Sequence, residues 1–113
     1  MLEKTIESEL RKGIKAIGGL CLKFESPGYT GVPDRIILLP GGRVFFAETK
    51  APGKKERARQ NLVHGILRGL GFTVFSTVDS RSKVQQILAA CRIEATQIVA
   101  CQATREAEDE QYI

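Results

Sequence analysis

Residues 31–50 read GVPDRIILLPGGRVFFAETK. Two apolar runs flank Pro40-Gly41-Gly42, and this pattern predicts a hairpin of strands over 34–39 and 43–50. Side chains alternate along a strand, so Glu48 and Lys50 share one face and Thr49 points to the other. Pairing across the turn sets Asp34 opposite the far end of the second strand, where two carboxylates and an ammonium are expected to converge.

Two acids close together in an apolar sheet repel each other, and burying them unpaired is costly. A hard divalent cation removes that penalty. Magnesium takes oxygen ligands, with waters and a phosphate oxygen completing its shell, which makes Asp34 and Glu48 candidate ligands and the Thr49 backbone carbonyl a further one. Such an ion polarises a phosphodiester and acidifies a water, while Lys50 can position that water or help deprotonate it. For these residues alone the plainer alternative is a surface ion pair of Asp34 with Arg35 or Lys50. Three features of the surroundings weigh against it: the glycine-rich loop before Asp34, the apolar strand into Glu48 and the basic stretch after Lys50.

Upstream, Leu2, Ile6, Leu10, Ile14 and Ile17 form one apolar stripe at helical spacing, stopped by Gly18-Gly19. Leu20 to Phe24 is short and apolar enough for a buried strand, and SPGYTGVP must be a loop. Downstream, APGKKERARQ leads into a helix over about 56–70, ended by Gly71. A strand over 72–78 follows, and then a third helix, capped by Ser80 or Ser82, runs to about Ala90. The expected order is α-β-β-β-α-β-α. Beyond Cys91, TQIVA at 96–100 is either helical continuation or edge strand, and REAEDEQYI at 105–113 reads as frayed or disordered.

No apolar run approaches the ~18 residues of a membrane span. The opening MLEKTIESEL, with acids at positions 3, 7 and 9, does not make a secretory signal, so a cytoplasmic address is expected. Cys21, Cys91 and Cys101 are widely spaced and odd in number, which argues for small buried hydrophobes rather than disulfides or a zinc site. Residues 1–104 hold 16 Lys and Arg against 9 Asp and Glu, and this basic body suits a polyanionic partner.

Taken in order, Ile6-Glu7, GGLCLKFESPG at 18–28, GVPD at 31–34, ETK at 48–50, Gln60 and the Gly71-Phe72-x-Val74 strand resemble the VRR-NUC branch of the PD-(D/E)XK nuclease superfamily. The likeness is to its short stand-alone form, found largely in phage genomes, and it runs from about Glu3 to about Leu88. It implies an α/β fold with a restriction-endonuclease-like core, a mixed β-sheet flanked by helices. It also implies a Mg²⁺ or Mn²⁺ requirement and hydrolysis of phosphodiester bonds in DNA, with no organic cofactor. Carried over to this chain, Asp34 and Glu48 are metal ligands and Lys50 the catalytic lysine. Glu7 is the additional acid of the first helix, with Glu3 as its competitor, and Gln60 the polar residue after the motif. The domain is then 1–92, with 93–113 as a C-terminal extension, partly disordered or an edge element. Glu9 and Gly13 depart from the pattern and weaken the first helix.

Lys23, Arg35, Arg43, Lys54, Lys55, Arg57 and Arg59 lie in or beside the segments carrying the acids and are candidate phosphate contacts, with Tyr29 the aromatic candidate. Nothing reads base sequence, so any selectivity is expected to be for DNA shape. The stand-alone relatives look like Holliday-junction resolvases, and symmetric cutting of a four-way junction needs two sites about a two-fold axis. A C2 homodimer is therefore expected, with the third helix or TQIVA as its surface. His64 is assigned to core packing or a dimer contact. A flap or single-strand nuclease, a nickase and a non-catalytic DNA-binding module are the competing readings.

Overall fold

A computed structural model describes residues 2–92, so Cys101, TQIVA and the acidic tail lie outside the described residues. Helix α1 spans Glu3–Ala16, with Ile6, Leu10 and Ile14 fully buried. Gly18, at φ 86°, takes the left-handed turn that stops it, and the Gly19 N–H closes back onto the Ile14 carbonyl at 3.0 Å. Strands β1 (Leu20–Lys23), β2 (Arg35–Leu39) and β3 (Arg43–Thr49) run antiparallel in sequence order. Helix α2 (Ala58–Gly69) then crosses over to β4 (Thr73–Val78), which pairs parallel to β3. A third helix, α3, covers 81–92 among the described residues. Ser80 caps it, accepting the Lys83 N–H at 3.3 Å. The mixed sheet has the order β1-β2-β3-β4, and the expected α-β-β-β-α-β-α succession holds.

Side chains of α1 and α3 pack on one face of the sheet, where Ile37, Phe45 and Ala47 meet Ile6, Leu10, Ile14, Val84, Ile87 and Leu88. The opposite face carries Phe46 and Glu48 and receives α2 through Val63 and His64 at the β4 side. The two departures in α1 explain how α3 docks. Glu9 pairs with Arg81 at 2.6 Å, and a Cβ on Gly13 would come within 2.4 Å of Leu88 Cδ1, so glycine makes room for that side chain.

Two expectations change. The segment 20–24 reads as a buried strand, yet β1 is a sheet edge with only Cys21 buried. Leu20 and Leu22 stay 55% and 45% exposed because α1 covers just one face. The third helix cannot offer Val84, Ile87, Leu88 or Cys91 to a partner, since all four are spent in the core of the chain itself. Among the described residues no helix is long and apolar enough to cross a membrane.

Candidate active site

The hairpin register pairs Arg35 with Ala47, and this brings Asp34, just before β2, level with Glu48 and Thr49 at the end of β3. The Asp34 N–H donates to Glu48 Oε2 at 2.8 Å, while the Asp34 carboxylate accepts the Thr49 N–H at 3.2 Å and the Thr49 hydroxyl at 2.8 Å. Strand alternation then divides the site in two. On the α2 side Glu48 Oε1 accepts from Gln60 Nε2 at 2.9 Å and pairs with Lys50 Nζ at 3.2 Å. Lys50 Nζ also donates to Gln60 Oε1 at 3.2 Å, and the Arg57 N–H donates to that oxygen at 2.9 Å. Glu48, only 3% exposed, is therefore buried with its partners in place.

On the α1 side the Asp34 carboxylate meets Glu7 and Glu3, and one oxygen of each of the three lies within 4.8 Å of the others. The Thr49 hydroxyl sits 3.0 Å from Glu7 Oε1 as well as 2.8 Å from Asp34 Oδ2. It has one hydrogen for two acceptors, so the second contact calls for a proton on a carboxyl or a cation among them. Burial raises Asp34 to about 6, and the Glu48 charge adds to the rise; burial also raises Glu48. Asp34 and Glu48, whose ionisation burial disfavours without a counter-charge, together with the Glu3 and Glu7 oxygens beside Asp34, make a donor set suited to a hard divalent cation.

Asp34, Glu48, Thr49, Lys50, Glu7 and Gln60 all meet here. The two principal carboxylates, however, do not point at one spot: the Asp34 backbone faces Glu48 while its side chain turns to Glu7. Sequence reasoning left Glu3 and Glu7 as competitors, and both reach Asp34, being one helical turn apart. It missed the Thr49 side chain as the link between Asp34 and Glu7, since alternation says only that Thr49 leaves the Glu48 face.

The cations distribute unevenly. Arg35 is 13% exposed and pairs with Glu7 at 3.4 Å, so it is engaged inside the site rather than offered to a partner. Lys23 is paired with Glu25 at 3.2 Å on the surface, and Arg43 donates to the Pro40 carbonyl at 3.3 Å. Arg59 lies over the Tyr29 ring at 4.9 Å and donates to the Thr30 carbonyl at 3.0 Å, pinning the 25–33 loop to α2. Beside Gln60 this leaves a groove of about 280 Å³ lined by Thr30, Gly31, Val32, Arg57 and Arg59. Lys54 and Lys55 are exposed on the segment leading to it. His64 is fully buried with Nδ1 2.7 Å from Ser76 Oγ, a packing role as expected, and burial lowers its pKa.

No family model matches the chain. A protein described as "Putative nuclease p44", from Acyrthosiphon pisum secondary endosymbiont phage 1, is 46% identical over 72 residues, 64% of this chain and 77% of that protein. A solved structure described as a VRR_NUC domain superposes with a TM-score of 0.70 at 28% identity, covering 77% of this chain and 94% of the other.

Proposed function

We propose, for a chain that belongs to the VRR-NUC family of nucleases, that it is a metal-dependent DNA endonuclease acting on branched DNA such as a four-way junction. The observation that carries this reading is the joined array of Lys50, Gln60, Glu48 and Asp34 backed by Glu7. Asp34, Glu48 and Glu7, with the Thr49 backbone carbonyl, are the proposed holders of Mg²⁺ or Mn²⁺; Glu3 lies beside Glu7 at Asp34, and Glu48 would have to give up its contact with Lys50 or Gln60 to join them. When bound, that ion supplies Lewis acidity toward the phosphate and neutralises charge on it.

Lys50 is the residue proposed to hold the attacking water at the phosphorus, and Gln60 fixes the direction of its ammonium. Glu48, through its bond from the Asp34 N–H, keeps β2 and β3 at the spacing the acids need. Arg57 and Arg59 in the groove beside Gln60, with Lys54 and Lys55 on the approach, suit the phosphates flanking the cut. Tyr29, stacked on Arg59, shapes that groove.

A C2 homodimer is part of the same reading, because a four-way junction asks for two related cuts. With α3 spent in the core, the apolar surface proposed for a second copy among the described residues is the outer side of α2. There Leu62, Ile66 and Leu70 are exposed at four-residue spacing. A cytoplasmic setting completes the proposal.

The test is cleavage of a labelled four-way junction, a flap and a matched duplex with Mg²⁺, Mn²⁺ or EDTA, alongside Glu48→Gln. Paired symmetric cuts on the junction, lost with EDTA and in the variant, are expected. Cutting only the flap or one strand would replace the junction reading. Metal-independent binding to all three without cleavage would leave a DNA-binding module.

A further inference from the structure

Thr77 has φ 52° and is the one non-glycine residue with a positive φ among the described residues. A β-branched side chain is crowded in that left-handed region, so the conformation persists only where neighbours hold it. Here every polar group of the residue is held. The two oxygens of Glu56 accept from the Thr77 N–H and the Thr77 hydroxyl, and Lys83 Nζ donates to the Thr77 carbonyl at 3.0 Å.

The location gives this a purpose. Ala47 pairs with Phe75 and Thr49 with Val78, so Glu48 alone faces both Ser76 and Thr77, a bulge opposite the buried acid of the site. The bulge sets the register at the end of β4. Val78 turns into the core, and its carbonyl accepts the Lys50 N–H at 3.0 Å. A slip of one residue would send Val78 to the other face and remove that bond. Glu56 itself lies between Lys50 and α2, next to the Arg57 N–H that holds Gln60.

We propose that Glu56 and Thr77 are positioning residues of the nuclease site: Glu56 clamps Thr77 in its left-handed conformation, and the bulge so held aligns Lys50 and Gln60 on Glu48. Neither residue needs to touch DNA. Burial alone would push Glu56 up, but the bonds from Thr77 hold it below the usual carboxylate range, so the clamp is charged at neutral pH. This assignment rests on the nuclease reading.

Wild type, Glu56→Ala and the double variant Glu56→Ala/Thr77→Gly are compared on the DNA that wild type cuts. Single-turnover rate, half-saturating DNA concentration, thermal midpoint and amide exchange at Lys50 in the metal-free protein are all read. Loss of the clamp should slow the chemical step by about 10- to 100-fold, the scale of a small misplacement, with little change in half-saturation. Protection of the Lys50 amide should fall in parallel. Glycine takes the left-handed conformation without help, so adding Thr77→Gly should restore most of the rate and the protection. Should Glu56→Ala not fold, Glu56→Met takes its place, filling the same space without an oxygen to accept from Thr77, with the same rescue expected. A lowered thermal midpoint with unchanged rate, or a loss that Thr77→Gly does not repair, would overturn the assignment while leaving the nuclease intact. A wild type that cuts no DNA would instead remove the nuclease reading and this assignment with it.

Discussion

Asp34, the acid proposed to hold the metal, is pushed by burial and by the Glu48 charge toward its protonated form. Its folded pKa of about 6 stands above the ordinary 3.8, so as pH rises through 6 the folded protein gives up a proton that the unfolded chain has already lost. Ionisation therefore costs the fold stability above that pH, and the cost fades as pH falls toward the unfolded value. In EDTA, Asp34→Asn should unfold at a higher temperature than wild type at about pH 7.5, with the gap closing by about pH 4. Glu48, raised by burial, acts in the same direction, and His64, lowered by burial, acts in the opposite one. Both are present in the two proteins, so the difference between them reports the Asp34 charge and its repulsion of Glu48. Added Mg²⁺ should reverse the order at the higher pH, because it stabilises the ionised wild type. Equal pH profiles for the two proteins would count against the burial of this carboxyl.

At the level of elements, the 25–33 loop and α2 meet through a glycine. Gly31 has φ 90°, and a Cβ there would lie 2.9 Å from both the Arg59 carbonyl oxygen and Arg59 Cγ, and 3.0 Å from Val63 Cγ2. Backbone cannot move aside as a flexible side-chain tip can. Gly31→Ala should thus lose at least the ~1–2 kcal/mol of the left-handed backbone, with the close contacts adding to it. Chemical denaturation measures the loss. DNA affinity should drop as well, since the loop and Arg59 form the groove together. The hairpin and the first helix were legible in advance at this scale, because their signals are local: the 6, 10, 14 stripe, the Pro-Gly-Gly turn, and the alternation of Glu48, Thr49 and Lys50. That β1 would be a half-exposed edge was not legible, since Leu20, Cys21 and Leu22 look alike whether one face is covered or two.

For the whole molecule, the exposed cations that follow Lys50 in the chain gather on one short segment, Lys54 to Arg59. If Lys54, Lys55, Arg57 and Arg59 each neutralise one phosphate, log affinity should fall against log salt with a slope of about −3.6. Replacing Arg57 and Arg59 together by Ala should flatten that slope by about two. Measured binding in the absence of cleavage, with Glu48→Gln, checks both numbers. A slope that Arg57 and Arg59 do not influence would move the DNA path off the groove. Lys23 and Arg35 are expected to contribute little, one being paired with Glu25 and the other with Glu7.

From residues 31–50 alone came the strands, the shared face of Glu48 and Lys50, and the proximity of Asp34, because periodicity and turn chemistry act between near neighbours in the chain. The family resemblance added Glu7 and Gln60, which the hairpin by itself does not point to. Only the packed structure decided that Glu3 joins Glu7 at Asp34, that Thr49 bridges the acids, and that Arg35 is consumed inside the site. The Glu56–Thr77 clamp lay hidden for a stronger reason. A threonine in β4 reads as an ordinary strand residue and Glu56 as one acid in a basic run, so nothing local announces either. Their roles arise from contacts 21 positions apart along the chain, and such contacts exist only once α2 has crossed the sheet and set β4 beside β3.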